Sequence, residues 1–205
     1  MPPITQALLG LNIIGFALQE MLGPGFMTTF ALWPAMPQNA IGWAPFEIWQ
    51  IVTYALLHGG WEHLAFNMLG LWMFGREVEQ VFGSLRYLQY YFTCIVTAAL
   101  AQLAVTSLSD GPPFPTVGAS GGVFGLLLAF GMLFPTRRVV PLIPPIPMKA
   151  RTFVTLYGVV ELVLGVTGTD SGVAHFAHLG GLVGGFFLIQ YWRKRWPFGS
   201  RTDTR

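Results

Sequence analysis

Ser120 sits in the stretch Val117-Gly118-Ala119-Ser120-Gly121-Gly122-Val123-Phe124-Gly125, a lone hydroxyl among glycines at the head of an apolar run. A serine hydroxyl is a weak nucleophile until a neighbouring base takes its proton. The candidate base is His178, in Ala174-His175-Phe176-Ala177-His178-Leu179-Gly180-Gly181. His63 and Asn67 are four residues apart, so on a helix they share one face a turn apart and are candidate donors to an oxyanion. A helix starting at Ser120 adds free N–H groups and a positive dipole end. Together these groups describe acyl transfer. The plainer alternative is packing, since small residues let membrane helices approach closely; it leaves His178 and Asn67 unexplained.

These residues must be positioned by apolar helices. Of 205 residues, 53% are hydrophobic and 10% charged, against roughly 25% charged in soluble domains, and mean hydropathy is +0.57. A bilayer core about 30 Å thick takes about 20 apolar residues per helix, so the length accommodates about six spans. The fold class expected is all-α: a polytopic membrane helix bundle with six transmembrane helices in one domain over 1–205, at about 4–22, 61–81, 85–108, 119–134, 152–166 and 173–191. The first apolar run lacks the basic lead of a signal peptide and reads as a retained helix. Between the first two spans, the segment from Phe46 to Leu57 is amphipathic and half a span long, which suits a first loop embedded in the membrane interface. Cys94 is a lone cysteine in an apolar run and reads as a small core residue.

The cations set orientation. All 11 Lys and Arg fall in three places: around the link of the second and third spans (Arg76, Arg86), between the fourth and fifth (Arg137, Arg138, Lys149, Arg151), and after the sixth (Arg193, Lys194, Arg195, Arg201, Arg205). Basic loops stay in the cytoplasm, so both ends of this stretch are expected there. The second, fourth and sixth spans then all enter from the outer side and carry His63, Asn67, Ser120, His175 and His178 at one depth. The small pairs Gly118/Gly122, Gly121/Gly125, Gly180/Gly184 and Gly181/Gly185 allow the fourth and sixth spans to pack closely enough for Ser120 and His178 to meet.

No carboxylate is near His178 in sequence, Asp170 being in the preceding loop, so the residues favour a Ser-His pair with no acidic third member. An acid within a span suggests function by default, but the fifth span carries no other such residue, and Glu161 reads as a neutral, hydrogen-bonded structural group. His175 reads as structural or interfacial, and His58 as a loop residue bonded to backbone. A metal site built on the four histidines is a separate possibility, as zinc favours imidazole. There is no His-Glu-x-x-His pair, however, and a metal would leave Ser120 without a role. No cofactor is expected. The net charge of +2 without a basic aromatic stripe gives no sign of nucleic acid as a partner.

The order His63-x-x-x-Asn67, Gly118-x-Ser120-Gly121, Ala177-His178-x-x-Gly181-x-x-x-Gly185 resembles the rhomboid intramembrane serine proteases, in their six-helix bacterial form, over nearly the whole chain. The resemblance implies cleavage of transmembrane protein substrates near the outer face of the lipid bilayer, in a bacterial inner membrane. It implies Ser120 as nucleophile, His178 as general base, and His63, Asn67 and the Ser120 N–H as the oxyanion site, with Gly118, Gly121, Phe124, Gly181 and Gly185 in support. A substrate helix is expected to enter laterally between the second and fifth spans. Two positions depart from the family pattern. Trp49-Gln50 stands where Trp-Arg is frequent, and Phe124 where an aromatic, often tyrosine, packs on the histidine. Non-catalytic relatives that bind transmembrane clients lack the serine or the histidine; both are present here.

Overall fold

The structure, a computed structural model, describes residues 1–35, 44–108, 114–141, 145–168 and 173–195. The proline loop at 109–113, the turn at 169–172 with Asp170, and the tail with Arg201 and Arg205 lie outside the described residues. The regular structure of the described part is helical apart from an isolated antiparallel bridge between Leu32 and Thr116 and one ribbon in which β1 (Arg138–Val139) pairs antiparallel with β2 (Met148–Lys149). The helices are α1 (Pro3–Leu22), α2 (Pro24–Phe30), α3 (Gln50–Thr53), α4 (Trp61–Gly70), α5 (Arg76–Phe82), α6 (Ser84–Thr106), α7 (Ser120–Leu133), α8 (Ala150–Thr167) and α9 (His175–Arg195). A π-helical turn, Leu71–Gly75, joins α4 to α5, so helix is continuous from Trp61 to Phe82. Two helices, α6 and α8, are long and apolar enough to cross a membrane by length and composition alone; α7 is a shorter apolar helix.

The core is organised on α6. Its residues Tyr87, Tyr91, Cys94, Ala98 and Gln102 recur at helical spacing and are all buried. Tyr90 Oη donates to the Gly125 carbonyl of α7 at 2.8 Å, and Tyr54 Oη to the Ile95 carbonyl at 2.8 Å. The glycines are divided among three helices. A Cβ on Gly181 would run into the Gly121 backbone, so α7 and α9 touch main chain to main chain there. Gly122, Gly125, Gly180, Gly184 and Gly185 lie instead against Tyr91, Cys94, Ala101, Thr97 and Tyr90 of α6. Close packing of α7 and α9 thus depends on a third helix that both press against.

The start of α1 has no side-chain cap of its own. Glu79, at the end of the second helical run, supplies one. Its carboxylate accepts from the Ile4 N–H at 3.0 Å, from the Thr5 N–H and hydroxyl at 2.7 Å each, and from Ser84 Oγ at 2.9 Å. One acid therefore satisfies orphan donors of α1 and the first residue of α6. Glu79→Ala leaves these buried donors unpaired and is expected to cost roughly 3 kcal/mol, read as a lower melting temperature in detergent; Glu79→Gln, which keeps one acceptor, loses less.

Gln50 anchors the loop between α2 and α4, at the position where the family pattern often has arginine. It is 1% exposed. Its Nε2 donates to the Thr29 and Pro45 carbonyls at 3.3 Å each, and its Oε1 accepts from the Trp33 N–H at 3.2 Å. Trp49 Nε1 donates to the same Thr29 carbonyl at 3.1 Å, and Thr53 Oγ1 to the Phe30 carbonyl at 2.8 Å. A neutral amide, both donor and acceptor, holds three strands of this loop where a cation could only donate.

Candidate active site

Ser120 is the first residue of α7, and His178 lies one turn into α9. Ser120 Oγ and His178 Nε2 are 2.8 Å apart, although 58 residues separate them in the chain. The Gly121–Gly181 contact lies beside this pair and sets its spacing. The Phe124 ring lies flat on the imidazole, with centroids 4.3 Å apart and planes 8° apart. Stacking restricts rotation of His178 and makes no use of a hydroxyl on the aromatic ring.

His63 and Asn67 line the same cleft of ≈ 490 Å³ as Ser120, Phe124 and His178. The Gly59 N–H donates to His63 Nδ1 at 3.2 Å. That bond makes Nδ1 the acceptor and leaves the proton of a neutral ring on Nε2. Gly118 is needed twice over. Its φ of +120 is strained for any side chain, and a Cβ there would lie 2.8 Å from His63 Nε2. Its N–H is tied to the Tyr54 carbonyl at 3.0 Å, which holds the turn entering α7. Asn67 uses one amide N–H on the His63 carbonyl at 2.9 Å and keeps a second. The cleft therefore carries a hydroxyl bonded to an imidazole, with two side-chain N–H donors and the first N–H groups of a helix around it.

One feature differs from the sequence expectation. A carboxylate does stand at His178. Glu161 Oε2 lies 2.9 Å from His178 Nδ1 and 2.7 Å from His175 Nδ1. Glu161 and His175 are both read from sequence as structural groups, because the antiparallel packing of α8 on α9 that brings them together leaves no local spacing signal. The available hint is the default for an acid within a span. The four histidines do not gather into one site. Among the described residues, the group whose ligand atoms come within 4.8 Å of one another, near enough to share a metal ion, is Glu161, His175 and His178.

A family model for the rhomboid domain matches residues 45–195, nearly three quarters of the chain and every residue of this constellation. The chain belongs to the rhomboid family. It is 34% identical over 188 residues to the rhomboid protease GluP of Bacillus subtilis, covering 91% of this chain and 34% of that protein. It is 35% identical over 143 residues to RHOMBOID-like protein 5 of Arabidopsis thaliana, covering 69% and 43%. It is 28% identical over 198 residues to the rhomboid protease GlpG of Serratia proteamaculans, covering 94% and 63%. The chain thus spans about a third to under two thirds of the length of these relatives. Membership makes it a polytopic membrane bundle of helices.

Within this rhomboid bundle, His58 forms the wall behind His63. It is fully buried and meets the edges of Phe16 (6.3 Å, 83°) and His63 (5.3 Å, 68°). Its main chain is clamped by Gln19 of α1, which donates to the His58 carbonyl at 2.7 Å and accepts its N–H at 3.0 Å. Burial, with the His63 imidazole adding to it, pushes His58 down to about 4. The unfolded chain therefore takes up this proton first as pH falls. The stability associated with neutral His58 is complete above pH 6.5 and is lost as pH drops toward 4, by up to about 3 kcal/mol. His58→Phe should flatten this acid-side fall in melting temperature; equal pH dependence of both proteins would show that His58 is not responsible.

Proposed function

We propose that this chain is an intramembrane serine protease that cleaves transmembrane segments of other proteins near the outer face, with Ser120 as nucleophile and His178 as general base. The observation that carries it is the 2.8 Å contact between Ser120 Oγ and His178 Nε2 in an open cleft that His63 and Asn67 also line. His178 takes the hydroxyl proton as Oγ bonds to the scissile carbonyl carbon. The charge on the carbonyl oxygen is met by N–H groups of His63, Asn67 and Ser120. His178 then protonates the leaving amine. Water entering the cleft hydrolyses the acyl-enzyme, and the proton returns through His178 to Ser120. A substrate helix must first unwind, because an intact helix keeps its carbonyls in its own hydrogen bonds.

Six spans position this site: α1, the run from Trp61 to Phe82, α6, α7, α8 and α9. The 14 residues of α7 rise only about 21 Å, short of a hydrocarbon core about 30 Å thick. With its C-terminal end beside the basic ribbon at the cytoplasmic surface, Ser120 starts below the outer surface and is reached by water through the cleft. Both ends of the stretch lie in the cytoplasm of a bacterial inner membrane, and substrate enters between the Trp61–Phe82 run and α8. A reporter fused after Arg205 is expected to be active only on the cytoplasmic side.

The test uses purified full chain in liposomes with a transmembrane reporter whose outer end carries small, helix-breaking residues. Cleavage by wild type and none by Ser120→Ala or His178→Ala supports the proposal. Reporter left intact by the wild type, but retained by it on purification, would favour a non-catalytic binder of transmembrane clients. Loss of cleavage on chelation would favour a metal at Glu161, His175 and His178.

A further inference from the structure

We infer that Glu161 is a positioning residue for the general base, and that His175 in turn anchors Glu161. This deepens the proposed serine-protease chemistry and rests on it. The sequence suggests a two-residue system; the packing of α8 on α9 supplies a third member.

The bonding pattern assigns the protons. Glu161 Oε2 is the shared partner of His175 Nδ1 at 2.7 Å and His178 Nδ1 at 2.9 Å. A single carboxylate oxygen can serve both contacts by accepting from two N–H groups. That places the His178 proton on Nδ1 and leaves Nε2, at 2.8 Å from Ser120 Oγ, with the lone pair that takes the serine proton. Glu161 thus selects the productive tautomer, the role the acid plays in serine triads. When His178 becomes an imidazolium during acylation, the same carboxylate lies on its far side and stabilises it.

His175 explains why one oxygen is held still. It enters from the first turn of α9, three residues before His178, and its ring is buried. Gly165, one turn further along α8, fits against His175 Cβ and Phe176, where an added Cβ would lie 3.2 to 3.3 Å away. The Glu161 side chain is therefore bracketed along α8 by a close helix contact and across α9 by two imidazoles. Phe124 stacking limits tilt of the His178 ring but is indifferent to a 180° flip that exchanges the ring nitrogens. The carboxylate decides the flip.

The experiment compares wild type, Glu161→Gln, Glu161→Asp, His175→Phe and Ser120→Ala. Three quantities are read: kcat and KM on the transmembrane reporter, the rate at which a small fluorophosphonate acylates Ser120, and the melting temperature. Glu161→Gln keeps one acceptor oxygen but loses the negative charge that stabilises the imidazolium, and its amide no longer presents an acceptor in both orientations. It is expected to lower kcat and the fluorophosphonate rate about 100-fold, with KM changed less than about twofold. Glu161→Asp should recover part of both rates, and His175→Phe should lose about tenfold in each. A purely structural Glu161 would lower the melting temperature and leave the rates of the folded fraction unchanged. Wild-type rates in Glu161→Gln, with Ser120→Ala inactive, would overturn the inference and leave the protease proposal standing. A wild type inert to both reporter and fluorophosphonate would overturn both. Should Glu161→Gln fail to fold, Glu161→Asp decides: slowed acylation with an intact melt supports the role, and an unchanged rate overturns it.

Discussion

Ser120→Ala is expected to lower kcat on a transmembrane reporter by at least about 10⁴-fold, and His178→Ala by a similar factor. In the proposed mechanism the hydroxyl and the imidazole act as one unit: without the base the serine keeps its proton, and without the serine the base has nothing to activate. The double mutant should therefore be no worse than either single one, whereas independent contributions would multiply. Ser120→Ala should melt within a few degrees of wild type, because the hydroxyl lines an open cleft, whereas His178→Ala also gives up the Phe124 stack and the Glu161 contact and should melt lower. Either single variant retaining near-normal cleavage would remove its residue from the mechanism. His63→Ala and Asn67→Ala, each removing one proposed oxyanion donor, should cost less, about 10²- to 10³-fold in kcat.

Gly181→Ala is also expected to have a large effect, although it removes no chemical group. The added Cβ meets the Gly121 main chain of α7, and main chain cannot swing aside as a flexible side chain does. Overpacking of this kind typically costs 1–3 kcal/mol. Here the strain is relieved by separating α7 from α9, the two helices that carry Ser120 and His178. A displacement of about 1 Å at a reacting pair can cost about 10²-fold in rate, so activity should fall by at least that much together with the melting temperature. Gly10→Ala is the control. Nothing lies within 4 Å of a Cβ at Gly10, and in a helix interior the change should stabilise by roughly 0.5–1 kcal/mol with cleavage unchanged. Full activity in Gly181→Ala would mean that the α7–α9 contact does not set the geometry of the pair.

The two substitutions mark different kinds of information. Ser120 and His178 can be picked out by type, since polar groups inside apolar runs are costly and stand out against their surroundings. The partition of the glycines is hidden in the same sequence. Four-residue spacing says that a face is small, not which helix it faces. Gly180 and Gly184 meet Thr97 and Ala101 of α6, while Gly181, one residue on, meets α7. Gln50 is a further case. By family pattern it looks like the loss of an arginine, yet an amide with donors and an acceptor fits the three chain segments it joins. Glu79 and Glu161 are the two acids whose roles needed the fold. One caps a helix 74 positions earlier in the chain, and the other contacts an imidazole 17 positions later.

The sequence by itself determined the solvent, the helical character and the polar groups that stand apart from it. Apolar runs broken by proline and glycine, cations confined to three places, and Ser120, His178, His63 and Asn67 at matching ends of their runs are all local features. Tertiary structure alone decided that Glu161 and His175 stand behind His178, that His58 backs His63, and that most of the glycine faces pack on α6. The reason is physical. Cost of burial is a property of one residue in one environment and is legible along the chain. Hydrogen-bond partnership is a property of two residues, settled by the angle and register at which helices distant in sequence come to pack.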